Sequence, residues 1–204
     1  LAFMTAEMGS YRALVDIMGH RHLGAKTMLY LIDGLYAGNH NNDTMPHKWD
    51  VAPFNGRWTS SIFASQDPVG LESVLFDIFQ LDNDPYQYHK IPGAHDYLIE
   101  AAMADNPPSG TFYDPNHASP VSRLSSLGVF EHWNNPVDRK YSRNLGTGNG
   151  IELLFIENKA NSPVNKRKNK TASGYSIQMI AQSNIIKLSI PESGRYSLLL
   201  LNSQ

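Results

Sequence analysis

With 204 residues, 41% of them hydrophobic, the chain has enough apolar material for one domain, or one domain with a small appendage. A net charge of −2 excludes a general nucleic-acid binder, which carries a basic excess, and no apolar run reaches the roughly 18 residues needed to span a membrane. The absence of cysteine excludes disulfides, thiolate nucleophiles and cysteine-ligated zinc or iron–sulfur sites.

Ser10 is placed to cap a helix from Tyr11 to about Gly19, with Tyr11, Leu14, Val15 and Met18 recurring on one apolar face. The loop GHRHLG follows and carries His20 and His22. Met28–Ile32 is then an unbroken apolar run that stops at Asp33-Gly34, the pattern of a central strand in a parallel sheet. The long polar stretch after it holds Trp49, Phe54 and Trp58 among Asn, Asp and His, including His40, Asp43 and His47. Ser60–Ser65 reads as a second buried strand. Asp67 and Pro68 then open a helix as N-cap and first residue, and Leu71, Val74, Leu75, Ile78 and Phe79 form its apolar stripe.

A loop over 81–93 leads to a helix from Ala94 to about Ala104, ended by Asn106-Pro107-Pro108. The next stretch is rich in turn formers and includes Asp114-Pro115-Asn116-His117 and Glu131-His132-Trp133. Gly150–Asn158 is another strand candidate. The composition then turns to Lys, Asn, Ser and Thr over 159–173, which marks a linker. Beyond it Tyr175–Ala181, Asn184–Ile190 and Arg195–Leu201 read as short strands opening a small antiparallel β-sandwich over 174–204. The expected architecture is therefore α/β: a partial parallel or mixed sheet flanked by helices over 1–158, a linker, and an incomplete sandwich. The chain opens at Leu1 without an initiator Met and stops just after a strand-like run, so it is expected to be a fragment of a longer protein.

The carboxyl ends of strands in such folds are where ligands bind, which makes Asp33 and Asp67 candidate catalytic residues sharing one cleft. Each also has a plainer use, Asp33 in a turn before glycine and Asp67 as a helix cap. His20, His22 and His132 are candidate ligands of a divalent metal, which would acidify a bound water for hydrolysis. Glu131 is next to His132, but neighbours on a strand point to opposite faces. Trp49, Trp58 and Trp133 suggest an aromatic surface for a glycan or peptide, the alternative being that such aromatics cover the edge of the core. A redox cofactor is disfavoured, because the glycines of LGTGNG precede a strand instead of opening a helix.

Three stretches carry a family resemblance: YRALVDIMGHRHLGAKTMLYLIDGLYAG, FASQDPVGLESVLFD and SLGVFEHWNNPVDRKYSRNLGTGNGIEL. Together they resemble the C-terminal half of bacterial exported proteins in the domain-of-unknown-function family 362. The resemblance transfers no catalytic residue, and without cysteine the iron–sulfur segments of some relatives have no counterpart here. The tail, above all SGRYSLLLLNSQ, is similar to the start of the sorting domain used by the type IX (Por) secretion system. That likeness implies recognition by the secretion machinery and export to the cell surface or medium.

Overall fold

The computed structural model describes residues 9–36, 46–81, 93–157, 176–180, 185–189 and 197–203. The 159–173 linker, His40, Asp43 and most of the 81–93 loop lie outside them. Helix α1 spans Ala13–Gly19, β1 Tyr30–Gly34, β2 Ser61–Ser65 and α2 Pro68–Leu81. They are followed by α3 at Asp96–Ala102, the single turn α4 at Ser142–Leu145, β3 at Ile151–Glu157, β4 at Ser176–Ile180, β5 at Ile185–Ser189 and β6 at Ser197–Ser203. The class is mixed α/β.

Four strands form one sheet in the order β1-β2-β6-β3. β2 and β6 run parallel, whereas β1 is antiparallel to β2 and β3 antiparallel to β6. β4 and β5 pair only with each other, in a separate antiparallel sheet. The described tail strands are thus divided between two sheets, with β6 in an interior place in the main one.

β1 is an edge strand, which corrects the expectation of a central one. Its residues alternate between half-buried and exposed, with Tyr30 and Ile32 packed on the core and Leu31 facing out. An unbroken apolar run does not separate a two-sided strand from an edge strand whose outer face stays apolar. β2 is the buried neighbour, with Phe63 and Ala64 almost wholly covered.

Helix α2 is the pillar of the molecule. Leu71, Val74, Leu75 and Ile78 enter a core with Trp49, Phe54, Phe63, Tyr141 and Ile151. Val69, on another side of the helix, enters a second core with Val15, Leu98, Ala101, Ala104 and Tyr113. Each such aliphatic side chain contributes about 1.5–3 kcal/mol through burial. At α1, Ser10 does not cap the helix. Arg12 holds the cap position without a side-chain cap bond and pairs its guanidinium with the buried Asp96 at 2.9 Å. Tyr11 and Leu14, expected inside, are largely exposed.

Candidate active site

The register of β1 and β2 decides the fate of the expected aspartate pair. Asp33 sits opposite Ile62, while Tyr30 sits opposite Ser65. Ser65 is three rungs from the Asp33–Ile62 pair, about 10 Å at the usual strand rise, and Asp67 lies two residues further on. Antiparallel strands put their carboxyl ends at opposite ends of the ladder, so Asp33 and Asp67 share no cleft. Asp33 accepts a hydrogen bond from the Leu35 backbone N–H at 2.9 Å, closing a turn. Asp67 is fully engaged as a cap: Oδ1 accepts from Gly70 N–H and Oδ2 from Val129 N–H, both at 2.8 Å.

The three expected metal ligands also separate. His20 and His22 share one loop with their rings 5.5 Å apart, and His20 Nδ1 accepts from the His22 N–H at 3.2 Å. His132 is held elsewhere, on Asp77. Among the described residues no group of three His, Asp or Glu is arranged to hold a metal ion. His20 does line a cleft of about 480 Å³ with Asp16, Asp114 and His117. Both of these acids are committed, Asp16 to the Tyr11 hydroxyl at 2.5 Å and Asp114 to the Ala118 N–H at 3.1 Å. The bond to Asp16 pushes the Tyr11 hydroxyl up to about 12.

Nor do the tryptophans form one surface. Trp49 is a core residue packed edge-on against Phe54 and Phe79. Trp58 lies against Tyr36, with the Lys48 ammonium over its ring. Trp133 packs beside Tyr141 under the Arg139 guanidinium.

The arrangement with clear chemical capacity is built from α2 and the loop before α4. Asp77 is 4% exposed, and its Oδ1 lies 2.6 Å from His132 Nδ1. Its Oδ2 accepts from the Trp133 N–H at 3.0 Å and the Tyr141 hydroxyl at 2.8 Å. A carboxylate in its ionised form only accepts, and in that form the proton of the short contact sits on His132 Nδ1. The His132 side chain is 47% exposed, while its Nδ1 faces Asp77. Burial, and then the negative charge of Asp77, hold the Tyr141 hydroxyl far above its ordinary value, so it stays a donor.

Around His132 stand the rings of Phe76, Phe130 and His95, at 5.9, 4.9 and 6.0 Å between centroids. His95 stacks on Phe130 and is held below the usual imidazole value by burial, with Asp96 and Asp77 opposing and His132 reinforcing the shift. Glu131 turns the other way and accepts from the backbone N–H groups of Ser142 and Ile151, each at 2.7 Å. The two neighbours thus serve different ends, Glu131 structure and His132 the surface.

The sequence placed His132 among the candidate metal ligands and singled out neither Asp77 nor Tyr141, the groups that His132 joins here. The available signal was a carboxylate at Asp77, three residues after Val74 and next to Ile78, inside the apolar stripe of α2. No protein-family model matches the chain, and no curated protein or solved structure does either.

Proposed function

We propose that the protein is an enzyme working by general acid–base chemistry, with His132 as the proton-transferring residue and Asp77 as its positioning residue. The observation that carries this reading is the 2.6 Å contact between a half-exposed imidazole and a buried carboxylate. The carboxylate fixes the proton on Nδ1 and presents the Nε2 lone pair to a water or hydroxyl. It also stabilises the imidazolium formed when that proton is taken. Phe76 and Phe130 lie against the imidazole and give it an apolar flank.

The same pairing orients imidazoles that bind metals, and the nearby ring of His95 makes metal-assisted hydrolysis the second reading. A stoichiometric divalent ion in purified protein, lost on His132→Gln, supports that version. We further propose an exported protein of the family-362 type. This rests on the motifs quoted above, two of which supply Asp77 and His132.

Hydrolysis of an activated ester such as p-nitrophenyl acetate tests the acid–base reading. His132→Gln is expected to lower the protein-dependent rate by about 10²–10⁴-fold, the usual worth of a general base. Asp77→Asn, which keeps an acceptor for Trp133 and Tyr141, is expected to lower it at unchanged fold. A wild-type rate in His132→Gln overturns the assignment.

A further inference from the structure

A second cavity lies against β1, independent of His132. It has a volume of about 230 Å³, and four aromatic rings, Tyr36, Trp49, Phe63 and Phe79, stand in its wall. Asp33 is the one charged side chain among its described lining residues, and Thr59 adds a hydroxyl. Trp49 is 6% exposed and Thr59 4%, yet among the described residues Trp49 Nε1 and Thr59 Oγ1 have no hydrogen-bond partner. A buried donor or acceptor left unpaired carries a desolvation penalty, and native proteins partner the large majority of their buried polar groups.

The polar groups of the lining differ in burial. Asp33 is exposed, whereas Trp49 and Thr59 are buried. Its Oδ1 is occupied by Leu35 N–H, which leaves the second carboxylate oxygen for a ligand. A carboxylate beside aromatic faces favours a cation, through charge and through the ring quadrupoles. The buried indole N–H calls for an acceptor, and the Thr59 oxygen can either donate or accept. We propose that this cavity binds a small primary amine with a cyclic body and a hydroxyl group. The ammonium pairs with Asp33 at the mouth, the ring lies among the aromatics, and the hydroxyl answers Trp49 and Thr59 at depth.

Calorimetric titration of the full chain with tyramine, phenethylamine and 4-ethylphenol tests this. Tyramine carries both polar groups, and each of the others lacks one. Tyramine is expected to bind at least about tenfold more tightly than either, the usual effect of losing a charge-assisted or buried hydrogen bond. Asp33→Asn still closes the Leu35 turn, and it is expected to erase the preference for tyramine over 4-ethylphenol. Thr59→Val is expected to reduce the preference for tyramine over phenethylamine. Absence of tyramine binding, or 4-ethylphenol binding as tightly as tyramine in wild type, overturns the proposal. These wild-type comparisons decide it even if a variant fails to fold.

Discussion

Asp67 caps α2 and Asp77 stands on it ten positions later, and their surroundings give them different roles. Both oxygens of Asp67 are taken by backbone N–H groups, one within α2 and one from Val129 across the chain. Asp67→Ala loses the cap and leaves the Val129 N–H unpaired, an expected cost of about 1–3 kcal/mol in urea unfolding, with no effect on ester hydrolysis. Gly128 makes this contact possible, because a Cβ there would lie 1.9 Å from Asp67 Oδ1. Gly128→Ala is therefore expected to destabilise the fold by about as much, through overpacking and displacement of the cap. A loss of hydrolysis with full stability in Asp67→Ala would return that aspartate to the catalytic list. Asp77 instead meets two side chains, Tyr141 and His132, and His132 reaches the surface.

The strand and helix positions were largely legible from local pattern. The stripe from Leu71 to Ile78 announced α2, the apolar runs announced β1 and β2, and Asp67 with Pro68 announced the cap. What the pattern could not carry was pairing. Nothing in Tyr30–Gly34 states that its neighbour runs antiparallel, and that single fact separates Asp33 from Asp67. Nothing in Ser197–Ser203 states that it lies between β2 and β3, far away in sequence. Asp77 escaped for a related reason, since its partners come from more than fifty residues downstream and leave no local signature. The place of β6 yields a prediction. Deleting 197–204 strips β2 and β3 of their shared partner, so far-ultraviolet dichroism and cooperative unfolding are expected to be lost. A truncated chain that unfolds at the wild-type temperature would instead mark the tail as a dispensable appendage.

For the molecule as a whole, two apolar cores meet on α2, and the candidate site lies where the loop of 129–141 crosses that helix. This placement couples the site to stability through His95. Burial lowers its affinity for a proton in the folded state, so the unfolded chain binds that proton more readily. Its contribution is complete above the ordinary imidazole value of about 6.5 and is lost progressively as pH falls below it. Melting temperatures at about pH 7.5 and 5.5 are expected to fall with acid in wild type, and less so in His95→Phe. An identical fall in the variant removes His95 from the explanation. The functional proposal itself depends on the proton held between Asp77 and His132. The nitrogen-resolved imidazole spectrum of His132 reads that proton without a substrate. We expect neutral His132 to carry it on Nδ1 in wild type and to shift it to Nε2 in Asp77→Asn; a wild-type imidazole protonated on Nε2 contradicts the account.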